Sequence, residues 1–138
     1  MTKYADTSAV LRLLFGEPGP ALSPARGDRV VSSELLEVEA SRAIERQRLT
    51  GALTDEETAL KRKELTDLVA MLDLMPMDRA VIDRARAPFG LNVRALDALH
   101  VGSAEVLAAE IGEPIEFWTH DERQRLAALS RGLTVCGI

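Results

Sequence analysis

Apolar residues along the chain fall into two alternating patterns, short runs and longer stretches with helical spacing. The short runs predict strands at residues 3–5, 29–32, 74–77, 115–119 and 133–136. The longer stretches predict helices at 9–15, 34–49, 55–72, 78–87, 94–111 and 122–130. Strands that alternate with helices are typical of parallel sheets, so we expect one α/β domain over residues 1–138, with a short, mostly parallel central sheet flanked by helices.

Two aspartates come directly after predicted strands. Asp6 follows the first strand, and Asp121 follows the strand at 115–119. Each also precedes a helix, so each could simply cap a helix N-terminus. Because ligand sites of parallel sheets form beyond the carboxyl ends of the strands, we expect both carboxylates at one rim of the sheet.

A third carboxylate lies among apolar positions of a helix. Glu39 is four residues from both Leu35 and Ala43, on the stripe that faces the core. A carboxylate on such a face needs a partner. An ion pair with Arg42 or Arg46 at the edge of the core is one explanation, and a functional site is the other.

Asp97 begins a helix of small and apolar residues that we expect to pack closely against the sheet. Its carboxylate could serve only to complement the helix dipole. His100 lies three residues later and could share its face, but the whole chain has only two histidines and one cysteine, which disfavours a zinc site. We therefore interpret His100 as a packed, hydrogen-bonded helix residue.

Charge and composition narrow the functional classes. A net charge of −5 argues against a simple electrostatic nucleic-acid binder, so attraction to a polyphosphate would have to be local. Arginine supplies 14 of the 17 basic residues and is well suited to phosphate contact. The single cysteine, Cys136, suits a reducing compartment, and no signal-peptide or membrane-spanning stretch is evident, so we expect a cytoplasmic protein without membrane contact.

Four carboxylates with few histidines form an oxygen-rich set, which favours Mg²⁺ or Mn²⁺ over zinc. Crowded carboxylates repel one another unless a cation lies between them. Divalent ions at a phosphodiester activate water and stabilise the leaving oxygen, so the set points to hydrolysis of a nucleic-acid backbone.

Four segments together resemble the acidic motifs of PIN-domain ribonucleases, and more narrowly the VapC toxins of bacterial toxin-antitoxin pairs. They are the segments at 4–9, 33–43, 96–101 and 118–123, and the resemblance extends from position 4 to about 136. It implies that Asp6 and Asp97 ligate the metal directly and that Glu39 and Asp121 complete the pocket. It also implies that Thr7 and Thr119 support these carboxylates. The sequence departs from the pattern after Asp121, where many relatives have another acid and an aromatic residue and this chain has Glu122-Arg123-Gln124.

The resemblance further implies an endoribonuclease that inhibits translation, a VapB-type antitoxin bound in a groove beside the pocket, and a homodimer. Four arginines lie near the acids in sequence and could bind the RNA backbone. They could equally well be solvent-exposed side chains without a role in binding. They are Arg42, Arg46, Arg94 and Arg123.

Two other classes compete with this hypothesis. A Mg²⁺-dependent phosphoacceptor or phosphatase-like protein also places aspartates at strand ends, but such chemistry normally needs a late lysine, and none follows Lys63. A non-catalytic α/β binding module would use the acids only structurally. Binding of Mn²⁺ would separate this class from a nuclease.

Overall fold

The computed structural model describes all 138 residues and contains one five-stranded sheet. In chain order the strands are β1 (Thr2–Ala5), β2 (Arg29–Ser33), β3 (Asp73–Met75), β4 (Glu116–Trp118) and β5 (Thr134–Cys136). Their spatial order is β3-β2-β1-β4-β5, and all neighbouring strands pair in parallel. The predicted α/β class is therefore confirmed, with a sheet that is wholly rather than mostly parallel.

Six helices connect and flank the strands, as the sequence predicts. They are α1 (Thr7–Phe15), α2 (Leu35–Leu49), α3 (Asp55–Ala70), α4 (Arg79–Arg86), α5 (Ala95–Ile111) and α6 (Glu122–Ser130). The main boundary differences are an earlier start of α1, because Asp6 caps it, and an earlier end of α3, because β3 already begins at Asp73. None of the helices combines the length and apolar character needed to cross a membrane.

Alternating side chains of the strands build two cores, one on each face of the sheet. Tyr4, Val31 and Phe117 belong to the core covered by α5 and α6. Ala5 and Val30 point to the other face, where they join the core formed with α1, α2 and α3. Both faces are covered, which explains why the strands read as nearly continuous apolar runs.

The strand order reverses beside β1. The chain runs outward from β1 to β2 and β3 and then returns to place β4 on the other side of β1. A crevice forms at such a switch point, outside the carboxyl ends of the strands. Asp6 and Thr119, which immediately follow β1 and β4, are therefore brought together.

Gly102 lets α4 and α5 approach closely. A Cβ atom at this position would lie 3.0 Å from the Val81 carbonyl oxygen and 3.1 Å from the Ala85 nitrogen, both backbone atoms of α4. The expectation that the small residues of this segment pack against the sheet is thus wrong for Gly102, which packs on a helix. Ala104 belongs to the core that contacts the sheet.

We expect Gly102→Ala to destabilise the fold by about 1–3 kcal/mol, because backbone atoms cannot yield to the added methyl group. Urea unfolding followed by circular dichroism measures this loss. The matched control is Ala109→Gly, the reverse exchange at an exposed position of α5. It reports the intrinsic helix preference, which favours alanine by up to about 1 kcal/mol. Stabilisation by Gly102→Ala would contradict the close contact.

An ion pair fastens the start of β2 to β1. The Asp28 carboxylate lies 2.9 Å from Lys3 Nζ and 3.2 Å from the amino terminus. Hydrogen bonding to Lys3 and to the Ala25 backbone N–H lowers the pKa of Asp28 from its usual 3.8 to about 2. A carboxyl group with a lower pKa in the folded than in the unfolded state stabilises the fold at pH values above its unfolded-state pKa. This stabilisation is lost as the pH falls through the folded-state pKa.

We therefore expect Asp28→Asn to lower the urea midpoint at pH 6, because the charged partner of Lys3 is lost. The gap between variant and parent should narrow between about pH 4 and pH 2, where the parent carboxylate itself becomes protonated. Unfolding curves across this pH range test the assignment. A gap that stays constant with pH would contradict it.

Candidate functional site

Asp6 lies at the centre of the rim, immediately after β1 and 4% exposed. Its Oδ1 accepts hydrogen bonds from the Ala9 backbone N–H at 3.0 Å and the Ser8 hydroxyl at 2.7 Å. Its Oδ2 accepts one from the Thr119 hydroxyl at 2.6 Å. Asp6 therefore caps α1, and it also joins the ends of β1 and β4 across the switch point.

Burial raises the pKa of Asp6 above its ordinary value, although the electrostatic effect of His100 and hydrogen bonds from Thr119, Ser8 and Ala9 act in the opposite direction. Removing a carboxylate from water penalises its charged form. Three donors reduce this penalty without cancelling it. The site therefore favours a cation near Asp6.

Glu39 extends from α2 towards α5. Its Oε1 lies 2.7 Å from His100 Nε2 and accepts a hydrogen bond from the Thr7 hydroxyl at 2.7 Å. Burial acts to raise the pKa of Glu39, but the hydrogen bonds from His100 and Thr7, with the electrostatic effects of His100 and Arg46, outweigh it, and the net shift is downward. An ion pair of Glu39 with Arg42 or Arg46 was the alternative explanation, and the partner is instead the imidazole of His100.

Asp97 and Asp121 share one arginine. Arg94 Nε lies 3.1 Å from Asp97 Oδ2, and Arg94 Nη2 lies 3.7 Å from Asp121 Oδ2. Asp97 is in the first turn of α5, and Asp121 caps α6 by accepting the Arg123 N–H at 2.8 Å. The Asp121 backbone N–H donates to the Thr119 hydroxyl at 3.0 Å, which links Asp121 to the group that holds Asp6.

A cavity of about 470 Å³ opens between α2 and the start of α5. Glu39 and Asp97 line it together with three of the four candidate RNA-binding arginines, Arg42, Arg46 and Arg94. Its apolar lining consists of Leu35, Val38, Ala95 and Leu96. Arg123, the fourth arginine, lines an adjoining cavity with Arg94 and Asp97.

The donor chemistry of the rim suits a hard divalent cation, because every candidate ligand atom is a carboxylate oxygen. No three aspartate, glutamate, histidine or cysteine side chains lie close enough to ligate one ion together. Mg²⁺ usually keeps several waters and binds through one or two carboxylates. Two carboxylates that face one cavity, Glu39 and Asp97, satisfy that requirement.

Sequence reasoning missed three residues that hold the carboxylates in place. His100 is packed and hydrogen-bonded as expected, but it contacts Glu39 directly, and its other ring nitrogen contacts Tyr4. The Ser8 hydroxyl bonds Asp6. Spacing could have indicated two of them, since Tyr4 is two residues before Asp6 along an extended segment and His100 is one helical turn after Asp97.

Comparison with known proteins places these features in a family. A model of the PIN domain matches residues 3–129. Ribonuclease VapC46 of Mycobacterium tuberculosis is 34% identical over 135 residues, which cover 96% of this chain and 94% of that protein. Ribonuclease VapC47 of the same species is 28% identical over 127 residues, with 87% and 85% coverage.

Solved structures show the same fold. One is VapBC2 from Rickettsia felis bound to a DNA fragment from its promoter, with a TM-score of 0.68, 12% identity, and 99% and 98% coverage of the two chains. Another is VapBC-1 from nontypeable Haemophilus influenzae, with a TM-score of 0.63, 15% identity, and 99% and 97% coverage. The extent of the family match, together with the full-length similarity to VapC46, shows that this chain belongs to the PIN-domain family of VapC ribonucleases.

Proposed function

We propose that this protein is a divalent-metal-dependent endoribonuclease and the toxin of a type II toxin-antitoxin pair. The observation that carries the proposal is the cavity in which Glu39 and Asp97 face three arginines, beside the buried Asp6. Carboxylates can hold a cation there, and guanidinium groups can bind a polyphosphate. Membership of the VapC ribonucleases supports RNA as the substrate.

Glu39 and Asp97 would hold Mg²⁺ or Mn²⁺ from the cavity. The resemblance makes Asp6 a direct ligand, but both of its oxygens accept hydrogen bonds within the chain, so we propose that Asp6 and Asp121 complete the negative pocket. The bound ion would lower the pKa of a water molecule and stabilise the leaving oxygen. The water oxygen forms the new bond to phosphorus while the bond to the leaving ribose oxygen breaks. Thr7 and Thr119 keep the carboxylates oriented by donating hydrogen bonds to Glu39 and Asp6.

The arginines would supply local attraction to RNA in an otherwise acidic protein. Arg42 and Arg46 lie one helical turn apart on α2 and line the cavity opposite Arg94. Guanidinium groups on both walls can contact successive phosphates of one strand. Arg123 extends this positive surface into the adjoining cavity.

The apolar side chains at the cavity support an antitoxin as partner. Val38 is 61% exposed and Leu96 is 46% exposed, so a segment that packs on them would also cover Glu39 and Asp97. We propose a VapB-type antitoxin in this groove, a homodimeric toxin, and a cytoplasmic location beside the RNA substrate.

One observation favours a second candidate, a non-catalytic binding module. Asp6 and Asp121 both cap helices, Asp97 is paired with Arg94, and no three ligands converge. In this alternative the acids are purely structural. Calorimetric titration with Mn²⁺ discriminates between the two, because only the nuclease requires binding.

We expect Asp97→Asn to reduce Mg²⁺-dependent RNA cleavage by more than the roughly 10- to 100-fold lost when a group that only orients a ligand is removed, since the amide cannot replace a charged ligand. A fluorescently labelled RNA and a metal titration of the same sample measure both properties. The matched control is Asp67→Asn, which removes one charge from an exposed position on α3. Parental cleavage by Asp97→Asn would rule out the proposed role.

Arg94→Gln should have opposite effects on metal and RNA. Without the guanidinium that occupies Asp97 and Asp121, we expect Mn²⁺ to bind about two- to fivefold more tightly, in line with the energy of exposed ion pairs. RNA should bind more weakly, because one phosphate contact is lost. Calorimetry with Mn²⁺ and fluorescence anisotropy with RNA check the two directions, and Arg79→Gln on α4 is the control. Unchanged affinity for both ligands would contradict this role of Arg94.

A further inference from the structure

His100 is a buried residue of the site to which the acidic motifs assign no role. It is 2% exposed and extends from α5 into the space between β1 and α2. Its Nδ1 lies 2.8 Å from the Tyr4 hydroxyl. Its Nε2 lies 2.7 Å from Glu39 Oε1 and 3.1 Å from the Thr7 hydroxyl. Every polar atom of the ring therefore has a partner.

The groups around Nε2 show that this ring nitrogen carries a proton. Glu39 Oε1 can only accept, and the Thr7 hydroxyl already donates to Glu39, so its oxygen is also an acceptor towards Nε2. A proton on Nε2 satisfies both acceptors. On the other side of the ring, the hydroxyl of Tyr4, which is 0% exposed and also bonds Ser103, holds Nδ1.

The two donors to Glu39 meet the same oxygen. Both His100 Nε2 and the Thr7 hydroxyl contact Oε1, whereas Oε2 has no hydrogen-bond partner in the chain. Glu39 also lines the cavity that contains Asp97. The clamp on Oε1 thus leaves Oε2 available to a cation. The imidazole holds the carboxylate through one oxygen, whereas a bidentate arginine would engage both oxygens and compete with the metal.

We propose that His100, oriented by Tyr4, is the positioning residue that presents Glu39 Oε2 to the divalent ion. This inference rests on the proposed metal-dependent function and adds a residue pair to it. His100 and Asp97 lie one turn apart on α5, so one helix carries a direct ligand and the group that positions the other. Tyr4 is itself held by stacking on Phe117, with 5.4 Å between ring centroids.

Three variants and one control test the proposal through Mn²⁺ affinity measured by calorimetry. His100→Ala should weaken Mn²⁺ binding about 10- to 100-fold, the usual loss when a group that orients a metal ligand is removed. His100→Gln can place an amide N–H near Nε2 and should recover affinity to within about threefold of the parent. Tyr4→Phe should give an intermediate loss. Ser32→Ala removes a buried hydroxyl that bonds the Ala5 carbonyl, so it should cost stability at parental affinity.

Two further readouts separate positioning from simple destabilisation. In RNA cleavage, kcat should fall in His100→Ala while KM stays within about twofold, because the arginines remain. Nitrogen-15 chemical shifts of the parent imidazole should show a proton on Nε2, which faces Glu39 and Thr7. If His100→Ala does not fold, Tyr4→Phe and His100→Gln carry the test.

The Mn²⁺ measurements distinguish a wrong role for His100 from a wrong proposed function. A parent protein that binds no Mn²⁺ overturns both. A parent that binds Mn²⁺ and variants that match its affinity overturn only the role of His100. A parent imidazole that carries no proton on Nε2, or His100→Gln no better than His100→Ala, also overturns it.

Discussion

The rest of the site depends on one buried carboxylate at the point where the strand order reverses. Asp6 is fixed by Thr119 from the neighbouring strand end and by the N-terminus of α1. These donors hold the charge in place but do not offset its burial, so its pKa stays raised. Arginines have to be near enough to attract a phosphate and far enough to leave the carboxylates to a metal ion. Glu39 meets both conditions, because its partner is a histidine rather than one of the arginines that line the same cavity.

Structural and functional explanations of the acids turn out to be compatible. Asp6 and Asp121 cap helices, and both also lie at the rim. The dual role has a geometric cause, because in a parallel sheet the helix that follows a strand begins at the carboxyl end of that strand. A capping aspartate there needs only one oxygen for the helix. Asp121 uses Oδ1 for the Arg123 N–H, which leaves Oδ2 directed to Arg94.

The sequence predicts nearly all of the fold, because the strands are buried on both faces and the helices carry clear caps, such as the Thr54 and Glu57 capping box. It also selects Glu39, because a carboxylate on an apolar stripe is anomalous. It could not identify the partner of Glu39. Arg42 and Arg46 are close in sequence, whereas His100 is 61 positions away and reaches Glu39 only through the packing of α5. Tertiary structure determines whether Glu39 pairs with a residue close in sequence or a distant one, and hydrophobic periodicity carries no information on tertiary contacts.

Tertiary structure also determines the partners of Arg94. Asp97, three residues later, is a local partner, and the fold adds Asp121 from the far end of the chain. A guanidinium between two carboxylates compensates their repulsion when no metal is bound. The pair with Asp97 is largely exposed on the arginine side, so its stabilisation is small and a divalent cation can replace it. A cation held by Asp97 would leave this guanidinium at the cavity wall, where it would join Arg42 and Arg46 as a contact for phosphate.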